Sequence, residues 1–194
     1  MENSLLDALI AKDKALLIYL NNLGSEQWDA MWLAITHQFN WIPLFVVILG
    51  LITWKFGVKK TLFTLLFIAV FVAFSDQFTN LVKNLTGRTR PCNAIDMQEY
   101  LRQFSYKPRG KSFWSGHASL STTFTTFTIL LLRNKIKYIY LLVLFPLVFG
   151  YSRIYLGVHY PIDVSTGFLS GIVIGTLFYK LYRILFQKIF KEAL

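Results

Sequence analysis

The sequence predicts an all-α protein: a polytopic transmembrane bundle of five to six spans, preceded by N-terminal helices that lie at the membrane surface. Two observations support this prediction. Hydrophobic residues make up 55% of the 194 residues and aromatic residues 17%, more than a soluble core of this size requires. The apolar residues also occur in runs that are bounded by basic residues, as membrane spans usually are. We therefore predict a single integral membrane domain over residues 1–194.

The first 40 residues are predicted to form interfacial helices. In residues 5–23, leucines and isoleucines are interrupted by charged side chains, a pattern typical of a helix that lies in the interface without crossing it. Residues 27–39 form a second short segment with tryptophans as interfacial anchors. We interpret His37, near its end, as a polar residue at the headgroup level, the alternative being a catalytic role.

Five apolar segments then follow as predicted spans. They cover residues 41–54, 61–83, 115–132, 136–152 and 160–185. The first is short unless it begins earlier and bends at Pro43. The last carries Gly167, Gly171 and Gly175 at four-residue spacing, which predicts close packing against another helix.

The formal net charge of +10 is interpreted as a topology signal and not as a nucleic-acid site, because basic residues cluster at the ends of apolar runs. One end of the predicted bundle holds Lys55, Lys59, Lys60, Arg133, Lys135, Lys137, Lys180, Arg183, Lys188 and Lys191. The positive-inside rule makes this end cytoplasmic, so the opposite end faces outward.

The longest polar segment between spans, residues 87–113, is predicted on the outward side. Its basic residues are Arg88, Arg90, Arg102, Lys107, Arg109 and Lys111. Loops longer than about 15 residues in compact domains tend to be functional. We interpret this one as an extracytoplasmic lid over an anionic headgroup, the alternative being a solvated loop in which only Arg90 has a role.

A cation, a histidine and a carboxylate interrupt the apolar sequence near the last predicted span. Pro161 is well suited to a first helical turn, so a helix is predicted to start around Tyr160 with His159 at its mouth. Asp163 then lies one turn further on, where it can hold one imidazole nitrogen as a donor and leave the other free as a nucleophile. Arg153 adds a forked cation suited to phosphate oxygens.

Two further polar islands are predicted on the same side. They are Lys83-x6-Arg90-Pro91 and Ser115-Gly116-His117. Ser115 precedes an apolar run and is typical of a helix N-cap, and Gly116 lets an anion approach the free N–H groups of the first turn. His117 is then a candidate proton donor. Asp76, on the polar face that leads to Lys83, is interpreted as a partner for a catalytic cation, a contact between helices being the alternative.

Together with Ser152-Arg153-x5-His159-x3-Asp163, these islands resemble the three signature motifs of the type 2 phosphatidic acid phosphatase (PAP2) superfamily. The resemblance covers the C-terminal two-thirds of the chain and departs from the family at Trp114, where proline is usual. It implies that His159 attacks phosphorus and forms a phosphohistidine, that Asp163 orients it, and that His117 protonates the leaving oxygen and then activates water. The phosphate-binding residues it implies are Lys83, Arg90, Ser115, Gly116 and Arg153, without a metal or another cofactor.

The resemblance therefore implies a lipid phosphate phosphatase of the bacterial inner membrane, with its site facing the periplasm. Undecaprenyl diphosphate is the first choice of substrate, because the chain is small and without additional domains. The alternatives are phosphatidylglycerophosphate, phosphatidate or a lipid A phosphate, and a phosphotransferase that uses a lipid hydroxyl in place of water. A non-enzymatic scaffold or transporter would not need His117, His159 and Asp163 together. The oligomeric state stays open.

Overall fold

A computed structural model of the chain describes residues 2–194, with side chains from residue 4 onward, and this described part is almost entirely helical. Its α-helices are α1 Glu2–Asn22, α2 Glu26–Thr36, α3 Ile42–Phe56, α4 Val58–Thr86, α5 Gly116–Leu132, α6 Leu144–Tyr155 and α7 Pro161–Phe190. Between residues 2 and 194 the only β-type pairing is an isolated bridge between Thr89 and Lys111. The predicted all-α class is therefore confirmed.

Three helical segments are long and apolar enough to cross a membrane. They are Gln38–Phe56, which joins a 3-10 turn to α3, and the whole of α4 and α7. The first span thus begins before residue 41. The predicted segment 41–54 is too short to cross a membrane without such an earlier start. The predicted span 136–152 starts as a 3-10 turn, Ile139–Val143, and becomes α-helical only at Leu144. Pro146 lacks an N–H and is tolerated in a first turn, so it favours a helix start just before it.

Helix α5 packs closely against the N-terminal half of α7 because glycines line their contact. A Cβ added to Gly167, Gly171 or Gly175 of α7 would lie 2.8, 2.5 or 2.7 Å from a backbone carbonyl oxygen of α5. No side-chain carbon packs that closely, so the two helices keep this distance only with glycine. The close packing predicted from the glycine spacing is confirmed. It also sets the N-termini of the two helices side by side, where the Ser115 N–H donates to the Asp163 carbonyl at 3.0 Å.

The N-terminal segments are helices, as predicted, and α1 also packs against the bundle. Its buried residues Asp13, Leu17 and Asn21 recur every four positions and form one stripe, while Leu5, Leu6, Leu9 and Leu16 of α1 stay exposed. The Asn21 amide donates to the Tyr155 carbonyl at the end of α6, over 2.6 Å. This contact holds α1 across the connection between α6 and α7, which is the connection that carries His159.

Candidate active site

A tight turn after α6 brings Arg153 and His159 to the same place. The carbonyl of Arg153 accepts hydrogen bonds from the N–H groups of Val158 and His159, at 2.9 and 3.2 Å. Gly157 makes this turn possible with a φ of 62°, in the left-handed region that favours glycine. The chain then enters α7 at Pro161, as the sequence predicts, with His159 two residues before the helix.

The His159 ring is fully buried, and each of its nitrogens has a polar neighbour. Nδ1 lies 3.5 Å from an Asp163 carboxylate oxygen and 3.4 Å from the Ser112 hydroxyl oxygen. Nε2 lies 2.9 Å from a guanidinium nitrogen of Arg90. A guanidinium can only donate, so Nε2 must be the acceptor and the ring proton must be on Nδ1, on the side of Asp163. This tautomer leaves the lone pair of Nε2 directed at the cations.

Burial keeps the His159 imidazole neutral. It lowers the pKa of His159 to about 3, with the charges of Arg90 and Arg153 acting in the same direction and the hydrogen bond with Asp163 opposing them. At neutral pH the ring is therefore unprotonated, which is the form in which a histidine is a nucleophile.

Four groups contact the Asp163 carboxylate. One is His159, as predicted, and the other three could not be identified from the motifs. One oxygen accepts from the Tyr160 backbone N–H at 3.0 Å and from the Ser112 hydroxyl. The other accepts from Arg88 at 2.6 Å, and the second arm of the Arg88 guanidinium reaches Asp13 at 2.7 Å. The carboxylate therefore has a fixed orientation towards His159.

Two buried arginines flank the imidazole, and each has a donor to spare. Arg153 donates to the Thr36 hydroxyl at the end of α2 and to the Tyr106 hydroxyl at 3.3 Å. Arg90 donates to His159 and, at 3.5 Å, to the Val158 carbonyl. Within the described residues, the buried Nε–H groups of both arginines have no hydrogen-bond partner. Unpaired buried donors of this kind are costly, and an anion bound between them would satisfy both.

The start of α5 forms the third side of the site. The Ser115 side chain caps the helix by accepting from the Ala118 N–H at 3.4 Å, as the sequence predicts. A Cβ added to Gly116 would lie 3.5 Å from the Lys83 ammonium nitrogen, so glycine keeps the helix N-terminus open beside this cation. The His117 ring packs on Phe149, with ring centroids 5.2 Å apart. His117 also lies within the electrostatic range of Lys83, Arg90, Arg153 and His159.

Asp76 lies beside Lys83 along the groove described below, and neither it nor Trp114 forms a hydrogen bond with the residues around His159. Asp76 is exposed on α4, accepts a hydrogen bond from Asn80 at 3.1 Å, and makes no ion pair within 4.0 Å in the described part of the chain. Its charge acts on Lys83 only at longer range. Trp114, in the position where the resembling family has proline, donates its indole N–H to Thr79 at 3.3 Å.

A large apolar groove leads away from the site between α3, α4, α5 and α6. It has a volume of about 680 Å³, and Lys83, Gly116 and His117 lie at its polar end. Its walls include Phe45 and Val46, which are also exposed on the outside of the bundle. The groove therefore connects the lipid-facing surface with the cations.

The loop over residues 87–115 covers the same end of the bundle, and its basic residues divide into three groups. Arg88 and Arg90 turn into the site, and Arg102 pairs with Asp29 of α2 at 2.7 Å. The others, Lys107, Arg109 and Lys111, are exposed. Two uncharged loop residues, Tyr106 and Ser112, also reach the site.

The sequence did not assign Asp13, Thr36, Tyr106, Ser112 or Arg88 to the candidate site. Asp13 carried one available signal, a carboxylate in a helix otherwise rich in leucine. Arg88 carried another, since it stands two residues from Arg90 in a loop next to the first motif. Ser112, Thr36 and Tyr106 belong to no motif and to no periodic pattern, so only the fold reveals their contacts.

Comparisons with known proteins agree with this architecture. A family profile described as the PAP2 superfamily matches residues 61–186. A lipid A 4'-phosphatase from Bacteroides thetaiotaomicron is 34% identical over 170 residues, which cover 86% of this chain and 75% of the relative. An undecaprenyl-diphosphatase from Sulfolobus acidocaldarius is 29% identical over 164 residues, covering 84% of this chain and 67% of the relative.

The fold also resembles a solved membrane protein. The crystal structure of a transmembrane PAP2 type phosphatidylglycerolphosphate phosphatase from Bacillus subtilis superimposes with a TM-score of 0.68 at 21% identity. The match covers 94% of this chain and 88% of the solved one. This likeness shows a shared fold. The three helices that are long and apolar enough to cross a membrane make the chain a membrane protein.

Proposed function

Given that this chain belongs to the PAP2 superfamily and is a lipid phosphate phosphatase, we propose that it removes a phosphate monoester from a lipid A-type glycolipid. The relatives favour this substrate over the first choice made from the sequence, undecaprenyl diphosphate. The lipid A 4'-phosphatase is 34% identical and the undecaprenyl-diphosphatase 29%, with slightly less of each chain aligned. Chain size, on which the first choice depended, does not distinguish these substrates.

The observation that supports phosphoryl transfer at this site is the geometry around Nε2 of His159. This nitrogen is an unprotonated acceptor 2.9 Å from Arg90, and the spare Nε–H groups belong to Arg90 and Arg153. A phosphate bound between the two arginines would accept the hydrogen bond that Arg90 now donates to Nε2. Its phosphorus atom would then lie beside the lone pair of Nε2. Lys83 and the open N-terminus of α5 add positive charge on the groove side.

The reaction proposed for this geometry has two steps. In the first, Nε2 of His159 forms a bond to phosphorus while the bond from phosphorus to the lipid oxygen breaks, and His117 gives that oxygen a proton. Asp163 stabilises the positive charge on the ring through the Nδ1 proton. In the second, His117 takes a proton from water, the water oxygen attacks phosphorus, and the bond to Nε2 breaks to release phosphate. The arginines and Lys83 stabilise the charge on the equatorial oxygens throughout.

The apolar groove supports a lipid substrate. Its polar end holds His117 and Lys83, and its apolar walls continue to the exposed face of α3. A phosphate in the site would therefore leave the acyl chains in the groove, with the leaving oxygen on the side of His117. We place this end of the bundle on the periplasmic side of a bacterial inner membrane, with the loop over residues 87–113 as its extracytoplasmic lid, because the lysine-rich ends of the spans lie at the other end.

The test is phosphate release by the purified protein from four lipids: bisphosphorylated lipid A, undecaprenyl diphosphate, phosphatidylglycerophosphate and phosphatidate. We expect the highest kcat/KM with lipid A. Greater efficiency on undecaprenyl diphosphate would establish the second candidate, and release from none of the four would refute the phosphatase assignment for these substrates.

The His159→Asn variant separates chemistry from binding in the same assay. We expect less than about a hundredth of the wild-type rate, because no other side chain in the site is placed to attack phosphorus. An alkaline quench of a single turnover should also trap labelled phosphate on His159 in the wild type, since phosphohistidine survives base. A variant that keeps its rate, or label found elsewhere, would contradict the nucleophile assignment.

A further inference from the structure

A buried carboxylate outside the family match reaches the proposed catalytic centre. Asp13 lies on α1, well before residues 61–186, and its side chain is only 1% exposed. One of its oxygens accepts from Arg88 at 2.7 Å, and the other accepts from the Ile162 backbone N–H at 3.0 Å. A buried carboxylate normally has such partners, but these two belong to the loop and to the helix that carry the site.

The contact with Ile162 completes the start of α7. This N–H belongs to the first turn of α7, where a helix leaves donors without a partner inside the helix. Asp13 therefore acts as a cap supplied by another helix. A negative charge here also complements the helix dipole.

The contact with Arg88 determines which way that guanidinium points. One arm reaches Asp13 and the other reaches Asp163, while its face stacks on the Tyr160 ring at 3.9 Å. Burial alone would lower the pKa of Arg88, but its hydrogen bonds to the two carboxylates hold that pKa above its ordinary value. The pair of carboxylates thus fixes the direction in which the Arg88 guanidinium points.

The charge balance of this arrangement favours the proposed chemistry. If Arg88 faced Asp163 alone, one cation would neutralise one carboxylate, and the carboxylate would stabilise a charged His159 ring less. With Asp13 sharing the cation, the three groups carry a net charge of about −1 next to Nδ1. Asp13 also prevents Arg88 from turning towards an anionic substrate as a fourth phosphate-binding cation, after Lys83, Arg90 and Arg153.

We propose that Asp13, acting through Arg88, is a positioning residue that orients Asp163 and through it the nucleophile His159. This inference rests on the proposed roles of His159 and Asp163. It makes α1 a part of the active site and not only a membrane-surface helix.

The experiment compares three variants with the wild type, using the lipid that the wild type hydrolyses best. Asp13→Asn keeps the shape and an acceptor for Ile162 but presents no charge to Arg88. We expect kcat per folded protein to fall about 10- to 100-fold, the size of effect that misplacing a reacting group produces, with KM within about twofold. Asp96→Asn is the matched control, because it removes the exposed 2.6 Å ion pair between Lys14 of α1 and the same loop, and the Asp96 carboxylate forms no hydrogen bond with Arg88, His159 or Asp163. Its kcat should stay within about twofold.

The third variant, Arg88→Gln, tests whether Asp13 acts through this arginine. In the double variant, adding Asp13→Asn to Arg88→Gln should alter kcat by less than about twofold, because the link between Asp13 and Asp163 is already lost with the arginine. If Asp13→Asn does not fold, Arg88→Lys replaces it. A lysine ammonium lacks the rigid planar fork that fixes both carboxylates, so this variant should lower kcat with KM unchanged.

Four results would overturn the proposal. They are a folded Asp13→Asn protein with wild-type kcat, a full additional loss in the Arg88→Gln background, an equal loss in Asp96→Asn, and wild-type kcat in Arg88→Lys. A wild type that releases no phosphate would refute the proposed function and this role with it, whereas an active wild type with an equally active Asp13→Asn refutes the positioning role alone.

Discussion

Replacing Gly171 with alanine should separate α5 from α7 and lower both stability and turnover. The added Cβ would lie 2.5 Å from the Ser119 carbonyl oxygen and 2.6 Å from the Thr122 Cβ, whereas ordinary contact begins at 3.4 Å. Neither neighbour is the end of a flexible side chain, so α7 has to move by about 0.9 Å, the difference between 3.4 and 2.5 Å. Overpacking of this kind costs about 1–3 kcal/mol.

The matched control is Gly50→Ala, because Gly50 lies in α3 with no atom within 4 Å of an added Cβ. Alanine favours a helix over glycine by about 1 kcal/mol at both positions, so the difference between the two variants isolates the steric cost. We expect Gly171→Ala to melt below Gly50→Ala in detergent by about 2–12 °C. Its kcat should fall as well, because His117 and His159 lie at the adjoining ends of these two helices. Equal melting temperatures and wild-type kcat would refute the close-packing argument.

Three other predictions concern the site and its orientation. Acid should destabilise the wild type more than His159→Asn: the ordinary pKa of an unfolded histidine is about 6.5 and that of folded His159 about 3. The contribution of His159 to stability is therefore fully present above pH 6.5 and is lost as the pH falls towards 3, by about 2 kcal/mol at pH 5. Thermal melts of both proteins at pH 7 and pH 5 measure this loss. The same fall in melting temperature in the wild type and in His159→Asn would contradict a buried neutral ring. His117→Ala should reduce kcat/KM more for phosphatidate than for undecaprenyl diphosphate, within the roughly 10²–10⁴-fold range of general acid catalysis, because an alkoxide needs a proton more than a phosphate leaving group does; equal losses would show that His117 only holds the phosphate. Single cysteines at Ser105 and Asn134, in a chain without Cys92, should react with an impermeant thiol reagent from opposite sides of the membrane, and labelling from one side would contradict an odd number of spans between them.

The sequence by itself determined the fold class, the helix starts around the site and the family. Apolar runs and their basic ends are local properties, so span positions agree with the structure to within a few residues for α4 and α5. Pro161 and Ser115 act on the residues next to them, which is why the starts of α7 and α5 could be predicted. The close packing of α5 on α7 could also be predicted, because glycines repeated at four-residue spacing leave one face of α7 without side chains.

Only the tertiary structure decided which residues complete the candidate site. Asp13 and Asp163 are 150 positions apart and share one guanidinium, and Ser112 reaches Asp163 from a loop with no periodic pattern. Such contacts depend on how α1 and the 87–115 loop dock over the bundle, and no local propensity encodes that docking. The groove is likewise a product of four helices packed together, so its shape cannot be predicted from any one of them. Charge, hydropathy and helix caps are properties of neighbours in sequence, whereas the orientation of a buried carboxylate depends on every donor that the fold brings to it.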